Sequence, residues 1–178
     1  MTACSPASSE QAARDYQIRT VRRPVVRALG LPLAPGFTLA TLREAHRRLS
    51  DDAAVRGLSL AESPLLVLRS DPLAVPRADW SWQLALPVTG LGRAPGEAEL
   101  VRLHGGTYVE AVTDRGFAEL PRLYRHVLGR IFPRFKHALT RPCILHRVIA
   151  GLEQDDPGAV LVAVLLPAQL SLERGRRA

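Results

Sequence analysis

Apolar positions along this chain change period in a repeating order. Residues 21–30 and 106–113 are apolar and β-branched over short runs, which predicts a strand in each place. Each run gives way to apolar spacings of three and four. Leu39, Leu42, His46 and Leu49 fall on one helical face. Phe117, Leu120, Leu123, Tyr124, Val127, Leu128 and Ile131 make a broader stripe further on. Thr41 and Glu44 have the spacing of a capping box, and Pro121 fits the second helix only within its first turn. Two more strands are predicted after each helix, at 65–69 and 80–86 and again at 144–149 and 160–166. Asp71-Pro72 and Asp155-Asp156-Pro157-Gly158 mark the turns between them. A further strand at 99–103 leads into the second set, and the segment 89–95 links the two.

The order strand, helix, strand, strand therefore occurs twice. Landmarks repeat with it. Pro-Gly-Phe at 35–37 matches Arg-Gly-Phe at 115–117, and His46 matches His126 at a distance of 80. Pro64 matches Pro142 at 78, and Pro87 matches Pro167 at 80. Four landmarks in one order at nearly constant spacing imply a duplication. The predicted fold class is α+β, with two halves related by a pseudo-twofold axis, residues 16–88 and 97–170, in one domain covering 16–170. An antiparallel sheet with helices on one face buries both halves, and a small-molecule cleft is expected between them. Residues 1–15 read as a disordered leader and 171–178 as a basic tail.

Composition narrows the class. Nearly half of the residues, 47%, are apolar, enough for a substantial core and too many for a disordered chain. No apolar run is long enough to cross a bilayer, and the start lacks a secretory signal, so no membrane is implied and a cytoplasmic location is expected. Cys4 and Cys143 are the only cysteines, one in the leader and one in a predicted strand, which disfavours a disulfide and fits a reducing compartment. The net charge is +7, but Lys136 is the only lysine among 24 basic residues and the arginines are scattered. Such an arginine bias also follows from a GC-rich genome. No basic helix with interleaved aromatics presents itself, so direct DNA reading is not implied.

Several segments are similar to one family. Tyr16-Gln17-Ile18-Arg19 leading to Arg23-Pro24-Val25-Val26 resembles the opening of GyrI-like small-molecule-binding domains. Gly105-Gly106-Thr107-Tyr108-Val109 resembles that family's Gly-x-Tyr-Ala strand, and Arg115-Gly116-Phe117 its entry to the second helix. Arg141-Pro142-Cys143 and Leu165-Leu166-Pro167 resemble its two C-terminal strands. The likeness runs from Tyr16 to Leu170 and is nearest to stand-alone members, such as the gyrase inhibitory protein. The same domain forms the effector-binding part of some AraC-type and MerR-type regulators. The resemblance implies binding of apolar drugs or toxins in a central cleft, with gyrase or a regulator as a conceivable partner, no cofactor and no metal. It also implies, for a subset, hydrolysis of natural products bearing a strained cyclopropane. Family members commonly carry glutamates where this chain has Leu145 and Ala163, and tyrosines where it has Arg147 and Leu165. Since those carboxylates offset a cationic ligand, their replacement implies a neutral or anionic apolar one.

Candidate ligand-binding residues follow from chemistry and position. Glu110 shares a strand face with Tyr108 by period-two alternation. If the protein is an enzyme, Glu110 is the candidate catalytic acid and Tyr108 would position the ligand. Trp82 offers flat apolar area for stacking, as Trp80 would on the same face. Phe117 and Tyr124 lie on the helix expected to flank the cleft. Leu145, Arg147, Ala163 and Leu165 complete the set. The histidines form no site: Cys143 and His146 sit three apart on one strand and point to opposite faces, which opposes joint metal ligation. No nucleophile elbow, phosphate-cradling loop or HExxH segment occurs. The expected function is to bind or sequester an apolar small molecule; a hydrolase on the same fold and a protein-interaction modulator are the alternatives.

Overall fold

A computed structural model describes residues 16–92, 96–141 and 143–170. The leader 1–15, the tail 171–178 and Pro142 lie outside the described residues, so the expectations placed on them do too. Among the described residues there are ten strands and two main helices; the predicted order is kept, but the run 21–30 is split and two short strands are added, Ser59–Leu60 and His137–Leu139. In chain order they are β1 (Gln17–Arg23), β2 (Val26–Leu33), α1 (Leu39–Val55), β3 (Ser59–Leu60), β4 (Leu65–Leu68) and β5 (Trp82–Thr89). Then follow β6 (Glu99–Leu103), β7 (Gly106–Thr113), α2 (Leu120–His126), α3 (Phe132–Arg134), β8 (His137–Leu139), β9 (Ile144–Ala150) and β10 (Leu161–Leu170). The sheet is antiparallel, in the order β1-β7-β10-β9-β4-β5-β2-β6, with β3 and β8 as short additions.

The strand registers establish the duplication. Leu65↔Ala85 in the first half recurs as Leu145↔Leu165, Ala28↔Pro87 as Tyr108↔Pro167, and Val26↔Leu103 as Arg23↔Gly106. The repeat distance is the 80 of the His46–His126 and Pro87–Pro167 spacings throughout. The register mate of Pro64 is thus Ile144, two residues past the Pro142 expected from sequence. Where β4 pairs with β9, Leu66 faces His146, its own repeat mate, so this pair straddles the pseudo-twofold axis.

Two local expectations need correction. Residues 21–30 are two strands, because the chain leaves β1 at Pro24-Val25 and starts β2 on the far side of the sheet. Proline cannot donate to a strand ladder, and it punctuates the run. The capping box of α1 lies one turn earlier than Thr41–Glu44. Thr38 is the N-cap, its Oγ1 accepts from the Thr41 N–H, and Thr41 Oγ1 accepts from the Thr38 N–H at 2.8 Å. Pro121 does fall in the first turn of α2. Beyond His126 the helix widens into a π turn, Val127–Ile131. Pro133 has no N–H to give the Gly129 carbonyl, and a π turn is the local remedy.

Five strands separate β1 from β2 in the sheet, yet only Pro24 and Val25 connect them. Five also separate β6 from β7, joined by His104 and Gly105. A flat sheet would need about 29 Å for either crossing, whereas the chain provides roughly 11 Å. The sheet must therefore curl until its edges meet. The two connections pass in contact: a Cβ on Gly105 would stand 2.6 Å from the Val25 nitrogen and 2.7 Å from the Pro24 carbonyl carbon. The leading strand of each half thus pairs with the other half.

The curl gives the sheet two unlike faces. On one, α1 and α2 bury Leu42, Leu49, Leu123 and Tyr124 against Leu66, Leu84, Trp82 and Val164. On the other, Leu65, Val67, Tyr108, Leu145 and Leu165 are buried inside the curl with no helical residue in their cluster. No described helix is long and apolar enough to cross a membrane.

Candidate functional site

The two helix entries frame the candidate site. Each follows a Gly-Phe pair, Gly36-Phe37 before α1 and Gly116-Phe117 before α2, with both glycines at positive φ (72° and 64°). At Gly116 the backbone is crowded as well, since a Cβ would stand 1.9 Å from the Pro157 carbonyl oxygen. That turn throws the following phenylalanine inward in both halves. The two rings meet edge to face, 6.0 Å between centroids. Phe37 also meets Trp82 edge to face at 5.7 Å, and Trp82 meets Trp80 at 6.0 Å. Edge-to-face packing keeps the rings from closing on one another. Together they line a cleft of about 740 Å³, with Thr38 and Leu39 among its other walls. That volume suits a drug-sized molecule. The rim carries two charged residues, Arg77 and Asp155.

Behind the tryptophans is a buried polar pair. Tyr124 and His146 are fully enclosed, and the Tyr124 hydroxyl hydrogen-bonds His146 Nε2. His146 Nδ1 lies 3.2 Å from the Leu66 carbonyl, which can only accept, so Nδ1 carries the proton and Nε2 receives the one from Tyr124. Both groups are satisfied while neutral. Burial lowers the His146 pKa to about 4 and pushes the Tyr124 phenol well above its usual value. Trp82 rests on the imidazole at 4.9 Å and Trp80 on the phenol at 5.4 Å, so this pair props the aromatic wall of the cleft.

The residues expected at the site divide between the two faces. Trp82 and Phe117 line the cleft, and Tyr124 stands one layer behind it. Tyr108 and Glu110 do share a strand face, but it is the inside of the curl, with Leu145, Arg147, Ala163 and Leu165. These six do not line this cleft. Glu110, 2% exposed, is held there by Arg19 and by Arg147 at 3.0 Å. The Tyr108 hydroxyl donates to the His104 carbonyl at 2.7 Å. The four substituted positions 145, 147, 163 and 165 thus lie on the sheet face turned away from this cleft. Cys143 and His146 point to opposite faces, and among the described residues no group of three His, Cys, Asp or Glu is gathered that could hold a metal ion.

From sequence, Phe37 stood out only as a repeat landmark and His146 only as a rejected metal ligand. Phe37 had a signal, since it is the repeat mate of Phe117. For His146 the signal lay in the repeat distance of 80, which sets it against an apolar leucine on a buried strand.

The sequence matches no protein-family model and no curated protein. Solved structures carry the comparison. EcmrR in its DNA complex is similar at a TM-score of 0.72 and 13% identity, over 90% of this chain and 60% of that one, so this chain spans less than two thirds of that relative. The EcmrR C-terminal domain is similar at 0.70 and 15% identity, over 86% of this chain and 98% of that domain. A hydrolase from Listeria innocua is similar at 0.63 and 13% identity, over 90% and 96% of the two chains. At these identities the likeness speaks for the fold alone: an α+β domain with a large antiparallel sheet, shared with the EcmrR C-terminal domain.

Proposed function

We propose that this protein binds a planar apolar small molecule in the cleft between the two helix entries. The observation that carries the proposal is the 740 Å³ space walled by Phe37, Trp80, Trp82 and Phe117. A single aromatic at a surface is ordinary, but four rings packed together along one wall of an open volume give an apolar guest a large contact area. Hydrolysis has less to work with. The cleft's carboxylate, Asp155, is 98% exposed and engaged by Arg43, while Glu110 lies through the sheet.

An uncharged probe, anthracene methanol, tests the reading through quenching of Trp80 and Trp82 emission. Saturable quenching with a matching rise in melting temperature is expected, and Phe117→Ala should weaken it about tenfold, near the upper range for a lost aromatic contact. Saturable binding that is unaffected by both Phe117→Ala and Trp82→Ala would place the ligand elsewhere.

A further inference from the structure

The charge at the cleft's rim is less balanced than its composition implies. Asp155 would by itself favour a cation. However, Arg43, one turn into α1 from the cleft-lining Leu39 and Ala40, reaches across to the β9–β10 loop. Both its terminal nitrogens lie 3.1 Å from Asp155 Oδ1, and its Nε donates to the Leu152 carbonyl at 2.7 Å. It also donates to the Gln154 carbonyl. One guanidinium thus fixes three residues of the loop and holds the carboxylate in a pair. Arg77 stands in a short 3₁₀ turn at the same rim, exposed, and no described carboxylate pairs with it. The aromatic wall lowers the local dielectric on one side, so a charge at this rim acts more strongly than on an open surface.

We propose that Arg77 is the charge-selecting residue of the cleft, that Arg43 makes it so by masking Asp155, and that the ligand class is a planar aromatic anion such as an aryl carboxylate. The ring system packs against Phe37, Phe117 and Trp82 while the carboxylate lies toward Arg77. This inference rests on the binding reading above, and it draws on residues that the sequence comparison of charges did not touch.

Three probes sharing one anthracene ring separate the two ideas: the carboxylate, the neutral methanol and the methylammonium, each titrated into the full-length protein at low salt. The carboxylate is expected to bind about fivefold tighter than the alcohol, the size of one partly solvated ion pair, with the ammonium weakest. Arg77→Gln should collapse the carboxylate-to-alcohol ratio to near unity. Arg43→Gln should raise the ammonium-to-alcohol ratio about threefold, and the double variant with Asp155→Asn should lose that gain. The last comparison separates an unmasked charge from a loosened loop, which would alter all three probes alike. Equal affinity for the three probes in the wild type, or an Arg77→Gln effect that does not depend on probe charge, overturns the charge assignment and leaves the cleft as a site. If none of the probes binds the wild type, the binding reading falls and this inference falls with it.

Discussion

Lowering the pH from 7 to 5 should remove about 2 kcal/mol of stability through His146 alone, and about 3 kcal/mol should be lost by pH 4. The imidazole is fully buried, and both its nitrogens are matched to a neutral tautomer by Tyr124 and the Leu66 carbonyl. Its folded-state pKa is lowered to about 4 from an ordinary 6.5. As the pH falls below 6.5 the unfolded chain takes up this proton and the folded chain does not, so stability declines until the folded-state value is reached. Above about pH 7 the group contributes no pH dependence, because both states are then neutral. Carboxylates titrate in part of the same window, and a non-titrating reference removes them. His146→Gln keeps a polar end toward Tyr124 and cannot be protonated. Urea unfolding of both proteins at pH 7, 5 and 4 gives the comparison, with the wild type expected to lose about 2 and then 3 kcal/mol more than the variant. Parallel losses in the two proteins would mean that His146 reaches water or a counter-charge when folded, and the closed polar pair behind the tryptophans would have to be abandoned.

Other consequences are open to direct measurement. Gly105→Ala puts a methyl into the backbone of the crossing connection at Pro24-Val25 and should cost about 2–4 kcal/mol in urea unfolding, while Gly129→Ala, which meets nothing within 4 Å, should be neutral or stabilising by up to about 1 kcal/mol. Similar effects of the two substitutions would refute the close crossing. Glu110→Ala removes the shared partner of Arg19 and Arg147, and a loss of about 1–3 kcal/mol is expected with no change in anthracene methanol affinity. Weakened probe binding at unchanged stability would instead bring Glu110 into the site.

Local patterns in the chain carried much of this architecture. The strands 99–103 and 106–113 stand where apolar alternation put them, and the repeated Gly-Phe pairs mark both helix entries. What local pattern cannot carry is partnership. The run 21–30 reads as one strand because nothing near Pro24 announces that β1 pairs with β7. Alternation likewise set Tyr108 and Glu110 side by side without saying which face they share, since both faces of this sheet are buried. A sheet that hides one face behind helices and the other inside its own curl gives the same apolar signature on both. The role of His146 was hidden for a related reason: its polar partner is Tyr124, 22 residues away in sequence.

The pairing of Leu66 with His146 across the axis has a further consequence. Two identical chains assembled the same way would place one residue type opposite itself at that point: two leucines, or two imidazoles competing for one donor. Joining the halves in a single polypeptide frees each side to differ. One side has kept an apolar residue whose carbonyl fixes the imidazole tautomer, and the other has become the imidazole. The symmetry of the scaffold is thereby broken at its centre, directly beneath Trp82, whose indole rests on a polar ring on one side of the axis only.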